Sequence, residues 1–259
     1  MKDCARSADG VSISYESRGA GAPALVFVHG WSCDRSYWSE QLDYFGARQQ
    51  VVTVDLAGHG ESGTDRDAWT MHAFGRDVAA VVDRLELERL VLIGHSMGGD
   101  VITEAAAELS DRVLGMVWVD TWRTLGEPAT REELEALVRP LREDFVTATR
   151  DLVRAMFVSN SDPELVARVA LDMSAAPPEI ALPALEHAVA NGGPILATLS
   201  RVRAPVVALN PDYRPTDVEA LRRYGVETEL VPGVGHFLML EDPAAFNRAL
   251  SEVVERFTG

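Results

Sequence analysis

The segment Leu90-Val91-Leu92-Ile93-Gly94-His95-Ser96-Met97-Gly98 decides the fold of this chain. Its first four residues are an apolar run that predicts a buried strand, and residues 101–109 form a helix-favouring stretch. A G-x-S-x-G pentapeptide between a strand and a helix predicts a tight turn that lifts the serine side chain clear of the backbone. The helix that begins there directs its first N–H groups toward any anion formed beside the serine. This is the geometry that acyl transfer needs.

Short apolar strands alternate with amphipathic helices on both sides of this turn. The patterns predict strands at residues 11–17, 24–28, 50–54, 90–93, 113–119, 205–209 and 227–231. They predict helices at residues 37–46, 71–85, 101–109, 217–224 and 243–257. Nearly continuous apolar strands are typical of a parallel sheet covered on both faces. The alternation therefore predicts a doubly wound, mostly parallel α/β fold.

The alternation stops after Asp120. Residues 121–200 carry helical patterns and no convincing strand, with candidate helices at 132–141, 144–157, 163–174 and 183–189. We therefore expect a helical cap at residues 121–200, inserted into a core formed by residues 1–120 and 201–259.

Composition excludes several classes of protein. The formal net charge of −16 disfavours nucleic acid and anionic membranes as partners. No apolar run approaches the length of a membrane-spanning helix, and the first residues lack the apolar segment of a secretory signal, so we expect a cytoplasmic protein. Cys4 and Cys33 form neither a disulfide framework nor a metal-binding spacing, and we expect free thiols, no metal and no cofactor.

Two distant segments are expected beside the turn at Ser96. His29-Gly30-Trp31 follows an early buried strand, and active sites of parallel sheets lie beyond the carboxyl ends of the strands. The Trp31 N–H and the Met97 N–H are therefore candidate donors of an oxyanion hole. His236 lies on a glycine-rich loop after the last predicted strand, and its ordinary pKa near neutrality makes it a candidate general base.

Together these motifs resemble the α/β-hydrolase superfamily over nearly the whole chain. The resemblance rests on the pentapeptide at 94–98, His29-Gly30-Trp31, the loop at 55–62 and the segment 235–243. It implies that Ser96 is the nucleophile, that His236 is the base, that Trp31 and Met97 form the oxyanion hole, and that residues 121–200 are the helical cap.

The acid of the expected triad has two candidates, because both lie between the serine and the histidine in the chain. Asp212 follows the strand where most of the family carries its acid, although its spacing differs by one residue. Asp120 ends the strand 113–119, as in some relatives, where a buried carboxylate needs a partner such as His236. We favour Asp120 and keep Asp212 as the alternative. Asp217 is expected to begin a helix, and Asp55 to anchor a loop.

These residues predict a carboxylesterase-type serine hydrolase that works through an acyl-enzyme. Similar families that require a carboxylate nucleophile, such as haloalkane dehalogenases and epoxide hydrolases, are excluded by Ser96. The expected substrate-binding residues are apolar and favour a small or medium acyl group of little charge: Trp31, Trp122, Phe237 and Leu238. The alternatives are a carbon–carbon bond hydrolase or lactonase with the same triad, and a lyase, oxygenase or ligand-binding protein on this fold.

Overall fold

The computed structural model describes residues 1–126 and 129–259, which form an eight-stranded sheet covered by helices. The strands are β1 (Lys2–Arg6), β2 (Ser12–Arg18), β3 (Ala24–Val28), β4 (Val51–Val54), β5 (Leu90–His95), β6 (Val113–Val119), β7 (Val206–Pro211) and β8 (Val226–Val231). Their order across the sheet is β1-β2-β4-β3-β5-β6-β7-β8. The β1–β2 and β2–β4 pairs are antiparallel, and the other neighbours are parallel. The predicted fold class is therefore confirmed.

Helices cover the sheet because its central strands are apolar along their whole length. Every residue of β3 and β5 is buried. The α-helices are α1 (Ser39–Gly46), α2 (Met71–Arg84), α3 (Met97–Leu109), α4 (Arg131–Glu143), α5 (Phe145–Arg154), α6 (Pro163–Ser174), α7 (Pro178–Ala190), α8 (Pro194–Leu199), α9 (Val218–Arg223), α10 (Leu238–Glu241) and α11 (Pro243–Thr258). Helix α2 packs against α3, and α1 packs against α11. The β3–β4 and β4–β5 connections run in opposite directions across the sheet, so right-handed crossovers place α1 and α2 on opposite faces.

Helices α4 to α8 lie between β6 and β7 in the chain, where the sequence predicts an inserted helical segment. Helix α4 begins at a reciprocal cap, in which Thr130 Oγ1 accepts the Glu133 N–H and the Glu133 carboxylate accepts the Thr130 N–H. Asp144 and Asp162 cap α5 and α6 through their side chains. Residues 127 and 128 of the predicted cap lie outside the described residues.

Some element bounds differ from the sequence prediction. The edge strand β1 was not predicted, because its burial alternates weakly and only Ala5 is fully buried. Helix α7 begins at Pro178 and carries Pro183 in its interior, so the prediction of a start at Pro183 is wrong. Helix α8 was also missed, because six residues are too few to show a helical period. Strand β5 ends at His95 and α3 begins at Met97, so only Ser96 lies between them.

Within residues 1–126 and 129–259, we find no helix with the length and apolar character needed to span a membrane. Cys4 and Cys33 are free thiols, as predicted.

Candidate active site

The turn at Ser96 has a backbone conformation that few non-glycine residues adopt. Ser96 has φ 52° and ψ −121°, which lies in a strained region for an L-residue. A Cβ at Gly94 would lie 2.2 Å from the carbonyl oxygen of Gly98. A Cβ at Gly98 would lie 2.6 Å from the carbonyl oxygens of Val28 and His29. Glycine is therefore required on both sides of the serine, because the turn presses against the end of β3.

The loop after β3 lies directly against this turn. A Cβ at Gly30 would lie 3.2 Å from Ser96 Cβ, so the next residue, Trp31, enters the site beside the serine. The His29 ring holds the loop: its Nδ1 lies 2.8 Å from the Gly30 carbonyl oxygen, and its Nε2 accepts the Leu56 N–H at 3.1 Å. Burial lowers the pKa of His29 to about 4, so the ring stays neutral. The structure thus brings Trp31 and Met97 to either side of Ser96.

His236 is held by contacts to three separate parts of the chain. Its Nδ1 lies 2.7 Å from Asp120 Oδ2, and its backbone N–H donates to the Met156 carbonyl oxygen at 2.8 Å. Its own carbonyl oxygen accepts the Nε2–H of His95 at 2.9 Å, with the two rings 4.5 Å apart between centroids. The position and rotation of the His236 ring are therefore fixed from several sides.

The loop that carries His236 is also held in place through Gly235, the residue before the histidine. The Gly235 N–H donates to Glu241 Oε1 at 3.0 Å, and Glu241 Oε2 accepts the Ser161 hydroxyl. A Cβ at Gly235 would lie 2.4 Å from the Met156 carbonyl oxygen, so this close approach requires glycine. Glu241 was not identified from the sequence, because its contact is made only once the fold is complete.

Asp120 lies at the end of β6 with its carboxylate almost fully buried. Its Oδ2 accepts from His236, and its Oδ1 accepts the Arg123 Nη2–H at 2.7 Å. Arg123 in turn donates to the Arg214 carbonyl oxygen and stacks over the Tyr213 ring at 4.7 Å. Both carboxylate oxygens are thus satisfied, which a buried charge requires. Arg123 lies in a loop with no recognisable motif, so the sequence alone did not identify it.

The other aspartates named in the sequence analysis accept from backbone N–H groups instead of from His236. Asp212 Oδ1 accepts the Gly233 N–H at 2.9 Å, and the Asp212 side chain is exposed. Asp217 caps α9 by accepting the Ala220 N–H, as predicted. Asp55 accepts the backbone N–H groups of Arg35 and Glu61, which agrees with its expected anchoring role.

Ser96 Oγ and the His236 ring are not hydrogen-bonded to each other in the part of the chain that the structure describes. Such hydrogen bonds are often long in a free enzyme and tighten when substrate binds. The serine turn nevertheless contacts the elements that carry both partners: the Ser96 N–H donates to the carbonyl oxygen of Val119, the residue before Asp120, and His95 donates to the carbonyl oxygen of His236.

A cavity of about 560 Å³ opens beside Ser96. Trp31, Met97 and Trp122 contribute aromatic and apolar wall, and α7 contributes further apolar residues. Phe237 and Leu238 are fully buried, and neither lines this cavity. Phe237 instead stacks on Phe157 beneath the histidine loop, with ring centroids 5.1 Å apart. These two predicted substrate-binding residues therefore pack into the core and do not form the described wall of the cavity.

A larger groove of about 840 Å³ lies between α6 and the loop after β8, and Ser96 is not part of it. Its wall includes Arg168, Glu164 and Asp242.

Comparison with known proteins agrees with this geometry. Residues 25–249 match the model of the alpha/beta hydrolase family. The chain belongs to that family. It is 28% identical to 3-oxoadipate enol-lactonase 2 of Acinetobacter baylyi over 97% of this chain and 96% of the relative. An N-acyl homoserine lactone degrading enzyme of known structure is 26% identical, with a TM-score of 0.79 over 96% of this chain and 99% of the other. A thermophilic esterase from Thermogutta terrifontis has the same fold, with a TM-score of 0.84 at 22% identity over 99% of both chains.

Asp100 is a buried carboxyl group of this alpha/beta hydrolase that was not predicted from the sequence. Asp100 lies one helical turn after Ser96 in α3, is buried, and contributes to the wall of the cavity. Its Oδ1 accepts the Trp122 Nε1–H at 2.8 Å. Burial raises the pKa of Asp100 to about 7, since the charged form loses its hydration.

We predict that Gly98→Ala lowers the free energy of unfolding of this hydrolase by about 1–3 kcal/mol, because the new methyl group meets main-chain oxygens that cannot move aside. Gly193→Ala is the matched control, since a Cβ there meets nothing within 4 Å, and it should change stability by less than about 0.5 kcal/mol. Urea denaturation of the two variants checks this. Equal stabilities would contradict the close packing of the turn.

We further predict that Asp100→Asn becomes more stable than the wild-type hydrolase as the pH rises. The folded-state pKa of about 7 lies above the ordinary value, so the folded chain keeps a proton that the unfolded chain has released. The free energy of unfolding of the wild type therefore falls as the pH rises from about 4 to about 7, and it stays lower above that range. Between pH 5.5 and pH 8.5 the difference in unfolding free energy should widen by about 2 kcal/mol in favour of the variant. If the free energies of unfolding of the wild type and the variant changed in parallel with pH, Asp100 would ionise with its ordinary pKa in the folded protein, and the prediction would be wrong.

Proposed function

We propose that this protein is a serine esterase that hydrolyses carboxylic esters of a small or medium acyl group through an acyl-enzyme on Ser96. The observation that carries the proposal is the hydrogen bond between His236 Nδ1 and the buried Asp120 carboxylate, next to the strained serine turn. Membership of the alpha/beta hydrolase family and the esterases and lactonases among its relatives support the same chemistry.

In the proposed mechanism, His236 is the general base. Asp120 accepts only from a protonated Nδ1, so the neutral ring presents Nε2 as the base. Nε2 takes the proton of Ser96 Oγ while that oxygen attacks the ester carbonyl, and it then returns the proton to the leaving alcohol. Water repeats the two steps on the acyl-enzyme and releases the acid.

The Trp31 and Met97 N–H groups bind the oxyanion in this proposal. Met97 is the first residue of α3, so its N–H has no carbonyl partner one turn earlier in the helix and adds to the positive end of the helix dipole. The Trp31 side chain fixes its own backbone by donating Nε1–H to the Ala181 carbonyl oxygen at 2.7 Å. Preorganised donors of this kind stabilise charge that develops in the transition state.

Asp120 orients His236 and stabilises its protonated form, and Asp212 is a backbone anchor. Two observations support this assignment: the 2.7 Å contact between Asp120 and His236, and the use of Asp212 by the Gly233 N–H. Arg123 shares the Asp120 carboxylate and fixes its orientation.

We propose that residues 121–200 form a cap that selects the acyl group. Helix α7 supplies Leu185, Ala188 and Val189 to the wall of the cavity, and Trp122 lies at the start of the segment. The same segment provides the Met156 carbonyl oxygen that holds the His236 backbone. Movement of the cap would therefore change the shape of the cavity and the position of the base together.

The second candidate function is that of a lactonase. A lactone is a cyclic ester, so the same residues would open it by the same steps. The similarity over nearly the full length of both chains to 3-oxoadipate enol-lactonase 2 favours this candidate, as does the 26% identity to an N-acyl homoserine lactone degrading enzyme. A panel of p-nitrophenyl esters and unsubstituted lactones of matched carbon number separates the two candidates by kcat/KM.

We predict that Ser96→Ala folds normally and loses at least ~10³-fold in kcat on p-nitrophenyl butyrate, because no other group can form the acyl-enzyme. Ser200→Ala is the matched control, since its exposed hydroxyl bonds only the Ala197 carbonyl oxygen, and it should retain full activity. Turnover by Ser96→Ala at the wild-type rate would disprove the proposed nucleophile.

We predict that Asp120→Asn loses up to ~10⁴-fold in kcat while Asp212→Asn stays within about tenfold of the wild type. An amide at position 120 cannot accept from His236 with the same charge and favours the wrong imidazole tautomer. Activities are compared at equal folded fraction, measured by circular dichroism. The reverse pattern, an inactive Asp212→Asn beside an active Asp120→Asn, would exchange the two roles.

A further inference from the structure

The proposed mechanism gives no role to Asp100, an ionisable side chain in the wall of the cavity. Asp100 and Ser96 both line the cavity and are four residues apart at the start of α3. Asp100 Oδ1 accepts from Trp122, and the Asn191 side chain lies against the same carboxyl. A carboxyl so close to a nucleophilic serine influences which substrates can approach it.

Two further polar groups lie beside Asp100. The Asn191 side chain, directly after α7, is 97% buried and lies against the same carboxyl. Thr121 lines the cavity, and its buried Oγ1 has no hydrogen-bond partner among the described residues. Buried polar groups are rarely left unsatisfied unless a ligand or water completes them. Thr121 therefore makes the wall of the cavity beside Asp100 polar.

The charged residues that are described in the cavity wall all have the same sign. Among the described residues that line it, Asp100 and Glu133 are acidic and none is basic. Glu104, one turn further along α3, adds a third carboxylate close to Asp100. Trp31 and Trp122 supply aromatic faces, which attract cations. A substrate carboxylate entering this space would face like charges.

We propose that Asp100 determines specificity: the site prefers esters whose acyl group ends in a positively charged ammonium group and rejects those that end in a carboxylate. This inference rests on the proposed esterase function and adds the substrate class to it. Because burial raises the pKa of Asp100 to about 7, its negative charge, and with it the discrimination, increases as the pH rises through neutrality.

Other groups facing Asp100 do not produce the same pH dependence. Glu104 and Glu133 face it from α3 and α4, and Trp122 and Asn191 are uncharged. His236 acts on every ester through the same step. Its effect on the rate therefore cancels in the ratio of kcat/KM between two substrates with the same leaving group.

The test compares p-nitrophenyl esters in isosteric pairs. The 4-(trimethylammonio)butyryl ester is paired with the neutral 5,5-dimethylhexanoyl ester, and the glutaryl monoester with the neutral 5-methylhexanoyl ester. At pH 8.5 we expect the wild-type protein to prefer the ammonium ester over its neutral partner by about tenfold and to disfavour the glutaryl ester by about tenfold. Both ratios should approach one at pH 5.5. Ratios near one at both pH values, or a preference for the glutaryl ester, would overturn the proposal.

Asp100→Asn should bring both ratios within about threefold of one and remove their pH dependence. Asp111→Asn is the matched control, since Asp111 is an exposed carboxylate near the far end of α3, and it should retain the wild-type ratios. The pH dependence of the wild-type ratios needs no variant, so it tests the proposal even where Asp100→Asn fails to fold.

Labelling of Ser96 by a fluorophosphonate tests the esterase proposal separately from the role of Asp100. Labelled protein with flat ratios overturns the role of Asp100 and leaves the esterase proposal standing. Protein that neither reacts with the probe nor turns over any ester overturns both.

Discussion

The backbone strain at Ser96 is the constraint on which the rest of the site depends. The residue is held at φ 52° because β5 and α3 meet with one residue between them and press against the end of β3. A strained conformation of this kind persists only when the surrounding packing enforces it. Here the packing is supplied by Gly94 and Gly98, whose missing side chains leave room for main-chain oxygens. The serine side chain and the first N–H groups of α3 are thereby placed at the same point.

The second half of the site is assembled from distant parts of the chain. His236 contacts Asp120 after β6, Met156 after α5, and His95 within the serine turn. Each contact uses a different atom of the residue, so the ring has little freedom to turn. The helical segment between β6 and β7 takes part through Met156, which links the shape of the cavity to the position of the proposed base.

The sequence predicts those features that depend on local geometry. The glycines at 94 and 98 belong to a pattern that can be recognised in the sequence, although Gly98 and Gly30 are required by contacts between the serine turn and the end of β3. Apolar periodicity reveals the central strands. Asp120 could be favoured because a carboxylate at a buried strand end needs a partner. Features that depend on tertiary packing escaped prediction. Arg123 contacts Asp120 only because the loop after β6 folds back on itself, and Asp100 contacts Trp122, which lies beyond β6 in the chain. Phe237 packs into the core instead of lining the cavity.

Detection of the acyl-enzyme tests the central claim most directly. The protein is mixed with p-nitrophenyl butyrate, quenched in acid within milliseconds, digested, and analysed by mass spectrometry. The account predicts that the peptide containing Ser96 gains the mass of one butyryl group, with the modification located on the serine itself, and that the signal decays as substrate is exhausted. Steady turnover of the ester with the butyryl group found only on another residue, or with no acylated peptide even when deacylation is slowed at low temperature, would contradict it.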